Sequence, residues 1–191
     1  QQVGTHSAIV KWRGDAGSVC FSTKLADLSK PHWPRCVAGV PTAGGHYDAQ
    51  VIGLAPQQTY YYSVAGQIDA SQHFQTSPNS NKPPQDGNTH IWIVGDSGTA
   101  TEVNSSGVPT HPGEAAAVRD GFAAYNAANG GEPVDLFLML GDNAYDRGTD
   151  VQYQGAVFDV YAGLLKQTPV WTTIGNHERG VGDLAAFRIF T

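Results

Sequence analysis

VDLFLMLGDNAY, residues 134–145, is an apolar run broken only by Asp135 that passes straight into Gly-Asp-Asn-Ala-Tyr. A short, nearly continuous apolar run closed by Gly and Asp predicts a strand buried on both faces. Asp142 then stands just past the carboxyl end of that strand, the edge at which open α/β sheets hold their ligands. The same pattern recurs at residues 90–98 (HIWIVGDSG) and 169–178 (PVWTTIGNHE). In each, an apolar strand ends in Gly followed by a potential metal ligand, so three strands are expected to deliver polar tips to one edge.

Around these strands the second half alternates strand and helix. Strand 91–94 leads through a loop, 97–113, to a helix over 114–128, with Val118, Phe122 and Tyr125 on one face and Gly130-Gly131 as its stop. Strand 134–140 and the GDNAY loop follow, then a helix over 150–166 with Val157, Tyr161 and Leu164 on its inner stripe. Strand 169–174 comes next, and a third helix opens near Asp183. Such alternation implies right-handed crossovers and parallel strands, so the strand tips all point one way.

The first half reads differently. Residues 8–12 (AIVKW), 47–53 (YDAQVIG) and 59–65 (TYYYSVA) are rich in β-branched and aromatic residues and are separated by turn clusters at 13–15 and 42–45, with no helical period between them. That spacing predicts a small all-β sandwich over residues 1–76. Tyr60, Tyr61 and Tyr62 are read as packing residues of a strand. Residues 77–89 concentrate Pro, Asn, Ser and Gly, the composition of a linker, and residues 90–191 form the α/β domain.

The chain has 191 residues and a formal charge of −6. Residues 1–89 carry six Lys/Arg against five Asp/Glu, and residues 90–191 carry five against twelve. An acidic half without a basic patch argues against nucleic acid or an anionic membrane as partner and suits a site that holds cations. No stretch reaches the length of an apolar membrane span, and QQVGTHS lacks a signal-peptide pattern, so a mature secreted form and a cytosolic protein are both compatible with it. Cys20 and Cys36 either close one loop as a disulfide or stay as two buried thiols. A glycosylation triplet at Asn104-Ser105-Ser106 adds weight to a secreted, extracellular protein.

The candidate ligands are Asp96, Asp142, Tyr145, Asn176 and His177, with Ser97 and Glu178 beside them. Carboxylate, phenolate, amide oxygen and imidazole make a hard, mostly oxygen set suited to Fe, Mn, Mg or Zn, unlike the thiolates of a structural zinc site. A single Gly-Asp after a strand is ordinary turn chemistry. Three such tips in one crevice are not expected of turns alone.

GDSG at 95–98, GDNAY at 141–145 and GNHE at 175–178, in this order, resemble the first three of the five motifs of the purple acid phosphatases, a branch of the metallophosphoesterase superfamily. The all-β front half and its linker resemble the fibronectin-type-III-like domain that precedes the catalytic domain there. Most other metallophosphoesterases carry Asp-x-His at the first motif. Here Gly98 stands at the His position and Tyr145 is gained, a paired difference that favours the purple branch.

The resemblance implies an N-terminal fibronectin type III/Ig-like sandwich followed by the first half of an α/β/β/α metallophosphoesterase sandwich. It implies hydrolysis of phosphate monoesters at a dinuclear metal centre, Fe(III) with a divalent Zn, Mn or Fe ion, with a metal-bridged hydroxide as nucleophile. Asp96 and Tyr145 would bind the ferric ion, Asp142 would bridge both ions, and Asn176 would bind the divalent one. His177 would face the substrate phosphate or the leaving group. Two cations sharing one carboxylate can clamp both ends of an in-line displacement at phosphorus.

The family's fourth and fifth motifs, Val-x-x-His and Gly-His-x-His, supply three further histidines, whereas no His follows His177. His90 and His111 lie upstream, and reproducing a fixed coordination geometry from unrelated loops is not expected of them, so neither is counted as a site. Asp142 and Asn176 alone are few protein ligands for a catalytic ion, and residues 184–191 read as an apolar segment that other structure would cover. The expectation is therefore one piece of a larger catalytic unit, with the remaining histidines on a second polypeptide. Two rivals stand beside it: a phosphodiesterase or nucleotide phosphatase on the same centre, and a non-catalytic binding module with a vestigial phosphoesterase fold.

Overall fold

The computed structural model describes residues 1–31, 35–42, 45–100, 113–179 and 187–190. The chain divides into two units, Gln1–Thr89 with Gly163–Pro169, and His90–Ala162 with Val170–Thr191.

Unit 1 is built from β1 (Gln2–Val3), β2 (Ser7–Trp12), β3 (Ser18–Ser22), β4 (Arg35–Ala38), β5 (Val40–Pro41), β6 (Tyr47–Ile52), β7 (Thr59–Val64) and β8 (Gln67–Gln75). They form two four-stranded sheets, ordered β1-β2-β6-β5 and β4-β3-β7-β8, in which every pairing is antiparallel. Side chains alternate across each strand, so Ala8 and Val10, Val19 and Phe21, Ala49 and Val51, and Tyr60 and Tyr62 all turn into one core closed by Leu54 and Phe74. Tyr60 and Tyr62 pack against Phe74, and Tyr61 lies beside His73, so the tyrosine run serves packing as expected. The Tyr60 hydroxyl also accepts the amide of Ala55 at 3.0 Å. Thr76 pins the same connection, its hydroxyl donating to the Ala55 carbonyl at 2.6 Å and accepting from the Gln58 amide at 2.9 Å.

Three longer strands beyond those singled out in the sequence appear: β3, β4 and β8. β8 is mostly polar, and only Phe74 in it is fully buried. Its ladder to β7 makes it a strand, closed by the two-residue turn Ala65-Gly66 with φ of 48° and 80°, the hand that matches strand twist. Cys20 and Cys36 lie opposite each other on β3 and β4 and are bonded, which decides between the two readings of the cysteines in favour of the disulfide. The Pro-rich stretch after β8 holds no strand or helix, but the Pro78 and Pro83 carbonyls accept from Thr5 and Gln57, which lays it along unit 1.

Unit 2 contains β9 (Ile91–Val94), α1 (Glu114–Ala128), β10 (Leu136–Met139), α2 (Asp150–Tyr153), the first residue of α3 (Ala162–Leu165, whose Gly163–Leu165 fall in unit 1), β11 (Val170–Thr172) and α4 (Asn176–Arg179). The expected helix over 150–166 is present in segments, α2 and α3 with π-helical turns at Gln154–Asp159 between them. It starts at a capping box, Thr149 with Gln152. β10 is central and pairs in parallel with β9 and β11, placing Phe137 beside both Trp92 and Val170. All three strand ends therefore face the same way.

Trp92 is the hub of the packed face. Its ring stacks on Phe122 of α1 at 3.9 Å and on Phe137 at 4.7 Å, with Tyr161 edge-on at 5.6 Å. The opposite face of the sheet carries Ile91, Ile93, Leu140 and Trp171, exposed at 47%, 55%, 57% and 58%. The expectation of burial on both faces is thus corrected: among the described residues the aromatic packing falls on one side, and strand alternation sends every second side chain to the other.

The inner stripe of α1 also differs from the reading. Val118 and Tyr125 are exposed, whereas Phe122 of that stripe does turn inward, together with Ala115 and Arg119. Phe122 is held by Trp92, and the Arg119 guanidinium donates to the Val160 carbonyl at 2.9 Å. These two anchors rotate the helix away from the stripe that apolarity alone suggests. The helix expected to open near Asp183 begins outside the described residues. Phe187–Phe190 is a 3-10 turn whose Phe187 and Ile189 are buried, with Phe190 against Phe158.

Candidate metal centre

Just past β9 and β10 stand aspartates with left-handed backbone, Asp96 at φ 50° and Asp142 at φ 48°. Asp tolerates this region better than most residues, yet such strain persists only where the surroundings over-determine it. Here the Asp96 amide donates to the Gly141 carbonyl at 3.3 Å, tying the tip of β9 to that of β10. The third tip is pressed against the second: a Cβ on Gly175 would strike the amide nitrogen and Oδ1 of Asp142, so only glycine lets the two backbones approach.

Three predicted residues are linked by short contacts. The Tyr145 hydroxyl donates to Asp96 Oδ1 at 2.7 Å, and the Tyr145 and His177 rings lie 4.5 Å apart, tilted. The His177 amide donates to Asp142 Oδ1 at 2.9 Å. His177 Nδ1 sits 2.7 Å from the Asp146 carbonyl oxygen, which can only accept, so Nδ1 carries the proton there. Asn176 opens α4 with its side chain exposed, directly beside the Gly175–Asp142 contact. The strand tips thus bring together Asp96, Asp142, Tyr145 and His177, and leave Asn176 at the margin.

The electrostatics at the strand tips are set largely by acidic groups. Burial and the hydrogen bond to Asp96 push the Tyr145 phenol well above its ordinary range, and the negative charges of Asp142 and Glu178 push it further. Chiefly through the Asp146 carbonyl, with Asp142 and the Asp146 carboxylate adding to it, the His177 imidazole is also raised, which favours its charged form.

Among the described residues, no three His, Cys, Asp or Glu side chains gather as a ready metal-ligating group. The donors that do converge are oxygens, two carboxylates and a phenol, and that set fits one hard cation by its chemistry. A phenol ringed by carboxylates ionises readily only beside positive charge, which is what such an ion supplies. Asp142 and Asn176 would offer a second ion two donors.

Gly98 has φ 94°, and a Cβ there would meet the Glu114 Cβ at 2.8 Å, so no larger side chain fits where a His was noted as missing. His90 precedes β9, its amide bound by Asp135 at 2.8 Å, at the opposite end of the strand from Asp96. It is thereby removed as a substitute ligand, and His111 lies outside the described residues.

The sequence does not reveal the roles of three positions, of which only Glu178 is named beside the candidate ligands. Glu178 is 1% exposed, and its carboxylate accepts four backbone amides: Asn143 at 2.6 Å, Gly175 at 2.7 Å, and Asp142 and Ala144 at 3.1 Å. Asn143 is also buried and donates to the Thr173 carbonyl at 2.8 Å, joining the GDNAY loop to the end of β11. Asp146 orients His177. The Glu in GNHE was visible as a letter, but nothing local distinguishes a buried anchor from a solvated carboxylate.

No curated protein matches the chain. The family described as calcineurin-like phosphoesterase matches residues 89–190, a span that holds all three strand tips and the residues gathered at them. That span is more than half of the sequence, and the chain therefore belongs to the calcineurin-like phosphoesterase family, metal-dependent hydrolases of phosphoesters with a dinuclear metal centre.

Proposed function

We propose that the protein is a phosphomonoesterase of the purple acid phosphatase type. The observation that carries this reading is the 2.7 Å hydrogen bond from Tyr145 to Asp96, at a first motif where Gly98 leaves no room for histidine. Asp96 and Tyr145 would hold a ferric ion, Asp142 would serve both ions, and Asn176 would help hold a divalent one (Zn, Mn or Fe). When bound, such a pair supplies Lewis-acid polarisation of the phosphoryl oxygens and activation of water.

The chain's own residues do the rest. His177, anchored at Nδ1 by Asp146, presents Nε2 to the phosphate or to the leaving oxygen. Its raised pKa favours the imidazolium that a departing alkoxide needs as proton donor. The left-handed turns at Asp96 and Asp142 hold both carboxylates at the sheet edge before substrate arrives.

A fibronectin-type-III-like identity for unit 1 is part of the proposal. Its support is the strand order of the two antiparallel sheets and the Tyr60–Ala55 hydrogen bond at the start of β7, the form of a tyrosine corner. The Cys20–Cys36 disulfide supports an oxidising, extracellular setting. The expected second polypeptide gains no support from the family match, and the proposal is made without it.

The test is hydrolysis of a phosphomonoester and a phosphodiester by protein loaded with iron and zinc, with visible absorption recorded on the same sample. Monoester preference with a violet tyrosinate band is the expected result. Diester preference would move the protein to the phosphodiesterase reading, and a metal-loaded protein that turns over neither would leave a binding module.

A further inference from the structure

The loop 141–144 and the turn 174–176 carry Asp142 and Asn176, and neither is part of a regular strand. Loops of this kind wander unless something ties them. Gly141 at φ 101° and Asp142 at φ 48° curl the backbone so that the amides of Asp142, Asn143 and Ala144 point inward together. Converging amides of this sort form a concave anion site. No external anion is needed to fill it, because the Glu178 carboxylate is already there.

Its two oxygens divide the task. Oε1 accepts from Asn143 and Ala144, at 2.6 and 3.1 Å. Oε2 accepts from Asp142 at 3.1 Å and from Gly175 at 2.7 Å, and so joins the two loops through one atom. The link closes into a ring, because the His177 amide, next to Glu178, returns to Asp142 Oδ1 at 2.9 Å.

We propose that Glu178 is a positioning residue whose buried carboxylate, by accepting the amides of Asp142, Asn143, Ala144 and Gly175, locks the loop bearing Asp142 to the turn bearing Asn176 and His177. It acts through those residues and touches neither metal nor substrate. The inference rests on the proposed reading for its functional consequence, but the lock itself is a property of the metal-free chain.

Glu178→Gln tests it in the full chain. The glutamine amide turns an NH₂ toward backbone donors, so one oxygen must serve four amides and at least two lose their acceptor. Amide hydrogen exchange of the metal-free protein is expected to quicken at Asp142, Asn143, Ala144 and Gly175 while Trp92 and Phe137 keep their protection. Zinc titrated alone is expected to bind about 10- to 100-fold more weakly, the range for loss of a group that orients metal ligands. Glu178→Asp keeps the charge but shortens the reach, and is expected to free Gly175 while retaining part of the loop's protection.

Unchanged exchange at all four amides in Glu178→Gln would overturn the proposal. So would a loss of protection spread evenly through the unit with zinc affinity of the folded fraction unaltered, since that is plain destabilisation. If neither variant folds, the wild-type exchange decides: the four amides must open together, and independent opening of Gly175 overturns the lock. Wild type that fails to bind zinc overturns the metal reading instead, leaving the exchange result to stand or fall alone.

Discussion

The Tyr145 hydroxyl donates to Asp96 at 2.7 Å, and the phenol is held above its ordinary pKa by burial and by that carboxylate. Phenolate formation there requires a cation, so on the proposed ferric assignment the colour of the loaded protein reports the contact. Tyr145→Phe is expected to abolish the violet band while leaving the fold intact, because the lost hydroxyl lies at the rim of the site and not in the core. A metal-loaded Tyr145→Phe protein that stays violet would remove Tyr145 as a ligand. Asp142 and Asn176 differ in their expected reach. Asp142→Asn is expected to lower occupancy of both ions, whereas Asn176→Ala empties mainly the divalent position. Metal content per chain distinguishes them, and equal losses would contradict the bridging role given to Asp142.

Helix α1 is held by aromatic stacking more than by its apolar stripe. Phe122 lies 3.9 Å from Trp92, ring on ring, while Val118 on the neighbouring face is 38% exposed. Phe122→Ala is therefore expected to cost roughly 2 kcal/mol, less than the 3–5 of a fully buried phenylalanine because the ring is only half covered. Val118→Ala is expected to stay within about 0.5 kcal/mol. Urea unfolding of both variants checks the difference, and equal costs would show that α1 faces the sheet as its apolar pattern alone suggests. In the other unit the Cys20–Cys36 bond closes a loop with a sequence separation of 16. Replacing both cysteines by serine is expected to cost about 3 kcal/mol on the loop-entropy account, read from the same urea curves.

Over the whole molecule, charge and chemistry are unevenly divided. Residues 90–191 carry five basic against twelve acidic side chains, a balance of −7, and the strand tips of that half bring Asp96 and Asp142 to one edge. Ion binding should therefore stabilise the chain locally. Zinc at a hundredfold excess over its dissociation constant is expected to add about 2.7 kcal/mol. The gain in hydrogen-exchange protection is expected at residues 90–100, 134–145 and 170–179, with β2, β3, β6 and β7 unchanged. A gain spread evenly over both units would point to non-specific binding and against a site at the sheet edge.

Local pattern determined much of this. The apolar runs closed by Gly-Asp and Gly-Asn place β9, β10 and β11 and their polar tips, because a buried strand and its turn are written in consecutive residues. Helix α1 spans Glu114–Ala128 as its stop signal at Gly130-Gly131 implies. The tertiary structure alone decided what depends on partners distant in sequence. Cys20 meets Cys36 only because β3 and β4 pair in that register, and β8 is a strand only because β7 offers it a ladder. Among the described residues one sheet face stays open, and α1 turns on Phe122, because packing selects among faces that composition leaves equivalent. Glu178 is the sharpest case: in sequence it is one more acidic residue, and it becomes an anchor because left-handed turns at Gly141 and Asp142 aim three amides at the spot where the fourth, from Gly175, arrives.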